Sequence, residues 1–331
     1  MSNHLYWIKH NTHARGTKDA TNKAVEDTNY VLQKMHFHDI SANHYANRAL
    51  ALLGLIAHLI TLRKKDILFF EIPDNKIRLS VVMKFHNLLK FKTIFFINDL
   101  NSIRDLGGVC LKDLIFDLRL LDNVDHIIVP NQGSKNILNR YYGVPKNKMF
   151  LQVVWDYVDE IDYSSDKYDE NIGFAGNLHK SAFVKLLGKI NFPFKLYGKK
   201  DFELKATNIS YGGVMDPMEL PKELCHCKWG LVWDGDQIDT CDDRYLKFNN
   251  SHKTSLYLAS GIPVIVWKDA GLAYFVKQYK CGICLSSLEE LNTLQMGKEK
   301  YEEIRHNAQQ VAKKIRSGYF LEQAVKEALK F

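Results

Sequence analysis

The chain has 331 residues, of which 46% are hydrophobic and 25% charged, with 7 Pro and 19 Gly. This is the composition of a folded globular protein, and at roughly 150 residues per domain the length predicts about two domains. Disordered, collagen-like and coiled-coil classes are excluded. The net charge of +7 is uneven, because residues 1–155 carry 21 basic and 13 acidic side chains whereas residues 156–331 carry 24 and 25. The basic half suits phosphates, an anionic membrane surface or nucleic acid, and solubility alone is the alternative.

The cysteines and the apolar runs indicate in which cellular compartment the protein works. The six cysteines lack the spacing of a secreted disulfide framework, and no secretory signal opens the chain. We therefore expect a cytoplasmic protein with buried free thiols, with zinc at the pairs 225/227 and 281/284 as the alternative. The longest apolar run, residues 49–60, is shorter than the ~20 residues of a membrane span and predicts a buried helix.

The first half alternates between two kinds of segment. Apolar runs rich in β-branched and aromatic residues predict strands at 5–8, 67–72, 93–97, 126–129 and 150–154. Amphipathic stretches predict helices at 18–35, 45–62, 77–89, 111–121 and 134–142. Such alternation predicts a parallel sheet covered on both faces.

A polar, acidic stretch at 156–171 predicts a linker, and a second series follows it. Strands are predicted at 172–175, 194–197, 229–233 and 263–267, helices at 181–187, 217–225, 253–260 and 270–277, and a helical tail at 297–331 with a break at Ser317–Gly318. We therefore predict an α/β fold with two doubly wound Rossmann-like domains, 1–155 and 156–316, facing an interdomain cleft. A C-terminal helix, 317–331, is expected to pack back on the first domain. Ligands of such sheets bind beyond the carboxyl ends of the strands.

The most informative segment runs from 229 to 267 and contains "WGLVWDGD" and "YLKFNNSHKTSLYLASGIPVIVW". It predicts a strand, a polar loop, a helix, a tight turn and a second strand. Residues 249–251 are good N-cap types for a helix that opens with His252, Lys253 and Thr254. Its unpaired first amides, a lysine and small hydroxyls predict a diphosphate site. The alternative is a capped helix with a solvated lysine.

This segment resembles the bacterial GT-B glycosyltransferases of surface-polysaccharide assembly. Within them it is similar to the β-1,6-galactofuranosyltransferases of O-antigen synthesis and, more distantly, to the streptococcal glucosyltransferases of serine-rich adhesins. The resemblance extends to "FINDLNSIRDLGG" at 96–108, "VPNQ" at 129–132 and "GFAGNL" at 173–178. It implies the GT-B fold and transfer of a hexose, in the first place galactofuranose, from a UDP-sugar to a growing surface polysaccharide or glycan. Inversion and independence of metal or any cofactor are expected.

The resemblance implies that the second domain holds the uridine diphosphate. The candidate donor-binding residues are Gly16, Gly176, Asn177, Lys180, Asp234, Asn249, Asn250, His252, Lys253, Thr254 and Tyr257. Asp99 is the candidate catalytic base, with Asp105 as the second candidate. Ordinary turn or cap roles are the alternative for Gly16, Gly176 and Asp99. The family has His where Asn98 stands and Pro where Ser251 stands.

Other readings stay open at this point. The Asp234-Gly-Asp236 sequence is typical of metal-dependent GT-A transferases. A UDP-glucose-dependent glucosyltransferase acting on a protein-linked glycan, a non-catalytic GT-B partner subunit and a sugar-nucleotide epimerase are alternative functions. Residues 76–92 predict either an amphipathic helix on the inner face of the cell membrane, suited to a lipid-linked acceptor, or an ordinary helix with solvated lysines. A homo-oligomer is a further expectation, whereas no module that binds nucleic acid is present.

Overall fold

The structure is a computed structural model that describes residues 4–10, 20–43, 47–98, 111–165, 167–241 and 244–330. The chain divides into two compact units. Unit 1 comprises Met1–Thr17, Val25–Gln152 and Leu321–Phe331, and unit 2 comprises Lys18–Ala24 and Val153–Phe320. The sequence placed the boundary at 155/156, so the structure moves three residues, together with a short N-terminal segment, into unit 2.

Unit 1 alternates strands with helices. Its strands are β1 (Leu5–Ile8), β2 (His38–Asp39), β3 (Ile67–Ile72), β4 (Lys92–Ile97), β5 (His126–Val129) and β6 (Met149–Leu151). Its helices are α1 (Ala20–Lys34), which begins in unit 2, α2 (Arg48–Leu59), α3 (Lys76–Leu89), α4 (Leu111–Asn123) and α5 (Gln132–Tyr142), with a 3₁₀ turn at Lys146–Lys148.

The sheet of unit 1 is parallel, in the order β2-β1-β3-β4-β5-β6. Its central strands are buried on both faces, which explains their continuous apolar runs. Phe69, Phe70, Phe95 and Phe96 form the middle of this core. The direction of strand succession changes between β1 and β3, as in a doubly wound sheet.

Unit 2 repeats this architecture. Its strands are β7 (Ile172–Ala175), β8 (Phe194–Tyr197), β9 (Ile209–Gly213), β10 (Trp229–Val232), β11 (Val264–Trp267) and β12 (Gly282–Leu285). Its helices are α6 (Leu220–Leu224), α7 (His252–Ala259), α8 (Ala273–Tyr279), α9 (Lys298–Arg316) and the start of α10 (Tyr319–Leu329), with 3₁₀ segments at Ala182–Lys189, Arg244–Lys247 and Leu288–Thr293. The parallel sheet has the order β12-β11-β10-β7-β8-β9, and two apolar clusters cover its faces.

The C-terminal tail has the break that its sequence predicts. Gly318, with φ +76°, separates α9 from α10. From Leu321 onward the chain belongs to unit 1, where the Nζ atom of Lys34 lies 2.9 Å from Glu322 Oε2.

The described part of the predicted linker is held on unit 2 by several side chains, and together with the three residues before it we call it the entry belt (residues 153–165 and 167–171). The Tyr157 hydroxyl donates to the Pro217 carbonyl at 2.7 Å, and Asp156 accepts from the Phe320 amide at 3.1 Å. Arg316 pairs with Asp162 at 2.8 Å. Its polar composition suggested a spacer, but these side chains bind it to unit 2.

Helix α2 differs most from expectation. Of its twelve residues only Leu55 and Leu59 are buried, whereas Leu50 and Leu53 are 51% and 60% exposed. The prediction that the helix at 49–60 is buried is therefore wrong, because only the side that carries Leu55 and Leu59 is covered. Within the described residues, no helix is long and apolar enough to cross a membrane.

Candidate active site

The site lies in unit 2, where the strand order reverses. β7 and β10 are neighbours in the sheet although β8 and β9 lie between them in sequence, so their carboxyl ends frame the switch point. Gly176 follows β7 and Asp234 lies just past β10. Open α/β sheets bind ligands at this position, because adjacent loops diverge there and leave a crevice.

Helix α7 begins beside these loops. Its N-cap, Ser251, makes no side-chain capping bond, and the amides of His252 and Lys253 have no hydrogen-bond partner among the described residues. The Nζ atom of Lys253 lies 3.0 Å from Asp234 Oδ1 and 3.2 Å from Oδ2, and 5.0 Å from the centroid of the Phe174 ring. A helix start with unpaired amides and an adjacent ammonium is an anion site.

Two glycines allow close contacts beside this lysine, one with the lysine itself and one between two loops. A Cβ atom at Gly176 would lie 3.2 Å from Lys253 Cε, so the side chain passes directly over the glycine. A Cβ at Gly198, whose φ is +127°, would lie 1.8 Å from the Gly176 carbonyl oxygen. The loops after β7 and β8 therefore touch through their backbones, which only glycine at 198 permits.

The entry belt holds the start of α7 in place. The Trp155 indole donates to the Asn250 carbonyl at 2.9 Å, and the Asn250 amide donates to the Val153 carbonyl at 3.0 Å. Ser255 Oγ donates to the Trp155 carbonyl at 2.7 Å. The His252 ring stacks on Trp155 with centroids 4.4 Å apart.

His252 is uncharged at neutral pH. Burial lowers the pKa of its imidazole to about 4, and the nearby charge of Lys23 lowers it further. The first residue of α7 therefore adds no cationic charge to this helix start.

Three predicted donor-binding residues lie inside the unit. Tyr257 is fully buried, and its hydroxyl oxygen accepts a hydrogen bond from the Ala175 amide at 2.8 Å. Its ring occupies the space that a Cβ at Gly230 would need. Asn250 and Thr254 are also fully buried. The structure places these three behind the site, so they position α7 and the β7 loop rather than reach an open surface.

The loop after β7 carries the remaining candidates. Asn177 and Lys180 are exposed, and the Lys180 amide donates to the Asn177 carbonyl at 3.1 Å. Asn177 thus closes a tight turn next to Gly176, as an ordinary β-α turn would. Asn249 is half-buried, one residue before the buried Asn250.

Three candidates, Gly16, Asp99 and Asp105, lie outside the described residues. The carboxyl ends of β3 and β4 in unit 1 hold a residue that sequence reasoning missed. Glu71 is buried, and the Asn98 amide donates to its Oε2 at 2.6 Å. Burial raises the pKa of Glu71 to about 7. The available signal was one carboxylate inside an otherwise apolar strand.

Neither the thiols nor the carboxylates form a metal cluster among the described residues. The cysteines at 225, 227, 241, 281 and 284 are free, and the first four are buried. The expectation of free, buried thiols is confirmed for these four, whereas Cys110 lies outside the described residues. In the Asp234-Gly-Asp236 sequence, the carboxylate of Asp234 forms an ion pair with the ammonium of Lys253.

Family models match both halves of the chain. The "Glucosyltransferase 3-like, N-terminal domain" matches residues 5–154 and the "Glucosyltransferase 3-like, C-terminal domain" matches residues 172–328. The chain belongs to the glucosyltransferase 3-like family. It is therefore a glycosyltransferase.

Curated relatives agree with this glucosyltransferase 3-like assignment. The beta-1,6-galactofuranosyltransferase WbbI of Escherichia coli is 33% identical over 85% of this chain and 84% of its own length. Glucosyltransferase 3 of Streptococcus gordonii is 23% identical over 98% of this chain and 96% of its own. The resemblance drawn from the sequence is confirmed.

Solved structures confirm the GT-B fold of this glucosyltransferase 3-like chain. HepE of Anabaena, in complex with UDP, superposes with a TM-score of 0.63 at 14% identity and covers 99% of both chains. WaaG, a glycosyltransferase involved in lipopolysaccharide biosynthesis, superposes with a TM-score of 0.53 at 12% identity, covering 98% of this chain and 97% of its own. At these identities the likeness concerns the fold.

Proposed function

We propose that this glycosyltransferase moves a sugar, in the first place galactofuranose, from a UDP-sugar to a growing surface glycan. We propose further that it inverts the anomeric centre, uses no metal or resident cofactor, and works in the cytoplasm, where free thiols persist. The observation that carries the proposal is the start of α7 at the switch point of unit 2. There Lys253 and two unpaired amides converge on one loop crevice.

The donor argument rests on charge. As the bond to the sugar breaks, negative charge grows on the departing diphosphate. The amides of His252 and Lys253 are fixed at the helix start before the reaction, and the ammonium of Lys253, which exchanges Asp234 for the diphosphate, adds its charge to theirs. The neighbour HepE was solved with UDP and with UDP-glucose, which supports a uridine diphosphate donor.

Inversion requires a base for the acceptor hydroxyl. Asp99, directly after Asn98, remains our candidate, with Asp105 as the second. Both lie outside the described residues, so their support is the sequence resemblance alone.

Two donor sugars are candidates. Galactofuranose is supported by the 33% identity to the beta-1,6-galactofuranosyltransferase WbbI. Glucose is supported by the family's name and by the glucosyltransferase 3 relatives at 23% and 25% identity. Incubation with UDP-galactofuranose and UDP-glucose in parallel, followed by mass and linkage analysis of the product, decides between them, because only the correct donor yields a glycosidic product.

The function itself is tested by UDP release with glycan acceptors and a Lys253→Met variant. We expect turnover to fall by about 100-fold or more, the usual loss when one preorganised charge-stabilising group is removed. Lys268→Met, an exposed lysine after β11, is the matched control and should keep full activity. Donor consumption without acceptor would indicate an epimerase, and no turnover with any donor would indicate a non-catalytic partner. A chelator should leave the rate unchanged.

A further inference from the structure

Helix α2 exposes an apolar face that no described residue covers. Leu50, Leu53, Ala57 and Ile60 follow one another at helical spacing of three, four and three residues, so they share one side of the helix. All four are exposed, and Ile60 at the C-cap is 58% exposed. Leu55 and Leu59 point the other way into unit 1, where they are buried.

This exposure is unusual for a helix of such composition. Arg48 and His58 are the only polar side chains of α2. A helix that is apolar all round is normally buried on all sides, and exposed contiguous apolar patches mark interaction sites. Helix α3, which contacts α2, also exposes large apolar side chains, Ile77 at 62% and Leu88 at 73%.

The exposed side chains of α2 and α3 that carry charge are basic. Neither α2 nor α3 contains an acidic residue. Exposed basic side chains lie at the start of α2, just after it, and on or at the end of α3, and none of them pairs with an acidic side chain among the described residues: Arg48, Arg63, Lys64, Lys84 and Lys90. Of the neighbouring carboxylates, Asp66 and Glu71 are buried, and Asp74, two residues before α3, is half-buried and paired with Arg78 at 3.4 Å.

We propose that α2 and α3 dock unit 1 onto an anionic lipid surface, with the α2 face entering the headgroup boundary and the lysines contacting lipid phosphates. Helices that lie in a membrane interface typically have apolar side chains on one face and Lys or Arg beside them. A second copy of this chain is a poorer occupant. In a twofold dimer the same face meets itself, so the basic residues of both copies would oppose each other.

The proposal is tested by co-sedimentation of the full chain with two kinds of vesicle. One is phosphatidylcholine alone, and the other contains about one third phosphatidylglycerol. We expect binding to the anionic vesicles only, and weaker binding at high salt because the lysine contacts are screened.

Two variants connect binding to the patch. The double variant Leu50→Ser/Leu53→Ser should lower the partition coefficient by about tenfold or more, because two leucines no longer leave water. The pair Lys64→Glu/Lys84→Glu should abolish the preference for anionic vesicles. Tyr274→Ser, a 71% exposed aromatic residue on α8 of unit 2, is the control and should bind like the wild type.

Folding and the donor site are checked on the same samples. All substituted side chains are exposed, so the unfolding temperature and UDP binding should not change, which separates this proposal from the proposed function. Three results would overturn it: no binding of the wild type to anionic vesicles, undiminished binding of the leucine variant, or a wild-type dimer that the leucine variant dissociates. The last result would assign the face to a second copy.

Discussion

Lys253 and Asp234 form an ion pair at the position where the diphosphate is proposed to bind, with Nζ to Oδ1 and Oδ2 distances of 3.0 and 3.2 Å. Asp234 follows the carboxyl end of β10 and Lys253 lies in the first turn of α7, so two neighbouring elements supply the pair. In the absence of donor, Asp234 is thus a competing anion for the lysine.

Replacing Asp234 by Asn should strengthen UDP binding. The lysine then loses its competing partner, and because the pair is partly exposed we expect a gain of about fivefold in affinity. Titration calorimetry with UDP measures it, with Asp236→Asn as the control because this nearby carboxylate is exposed and has no described ion-pair partner. If Asp234 instead held a metal against the diphosphate, the Asn variant would bind UDP more weakly, and only when divalent cations are present.

Gly198→Ala should destabilise unit 2. The added Cβ would lie 1.8 Å from the Gly176 carbonyl oxygen, and the φ of +127° is unfavourable for alanine. We expect the free energy of unfolding to fall by about 3 kcal/mol or more. Gly213→Ala is the matched control, since its φ is also positive at +87° but nothing lies within 4 Å of the new methyl group; about 1 kcal/mol is expected there. Denaturant unfolding compares them, and equal losses would contradict the close backbone contact.

The variant Tyr257→Phe tests whether Tyr257 positions the β7 loop or contacts the donor directly. The change leaves the buried Ala175 amide without its acceptor, so the free energy of unfolding should fall by about 1–2 kcal/mol. Tyr274→Phe, at an exposed position, should cost nothing. If Tyr257 contacted the diphosphate directly, the Phe variant would instead raise the KM for the donor at unchanged stability.

Glu71 makes the stability of unit 1 depend on pH. Burial raises its pKa from 4.5 to about 7 in the folded chain. Between these values the unfolded chain has released this proton while the folded chain retains it, so stability falls as pH rises from about 4.5 to about 7. The total loss from this group is on the order of 3 kcal/mol.

Glu71→Gln should remove that pH dependence. Unfolding temperatures of the wild type and the variant, measured from pH 4.5 to 8, should diverge with rising pH in favour of the variant. Parallel curves would show that Glu71 ionises normally. The amide side chain keeps the size of the carboxyl group, so the comparison isolates the charge.

The sequence predicted the central strands well for a physical reason. A strand buried on both faces of a parallel sheet is expected to be apolar, as β11 is throughout and β3 is apart from Glu71. Edge strands have no such requirement. β2 consists of the exposed pair His38–Asp39, and β9 ends in two glycines with Tyr211 exposed, so neither has an apolar pattern to detect.

The site was predicted in part. Gly176, Asp234 and Lys253 were each named, but their contact follows from strand order, which brings residues 58 apart in sequence, 176 and 234, to one crevice. Tyr257 was placed with Lys253 because four residues of helix bring side chains to the same side. The Tyr257 ring nevertheless packs against the sheet, because Gly230 has no side chain in the space that the ring occupies.

The entry belt has a practical consequence for dissecting the chain. The family's C-terminal domain match begins at residue 172, beyond Trp155, Tyr157 and Asp162. A fragment cut there would lose the indole beneath His252, the acceptor of the Asn250 amide and the carboxylate of the Arg316 ion pair. A fragment meant to fold as the second half alone should therefore start no later than Val153, and a start at 172 should leave the first turn of α7 without these contacts.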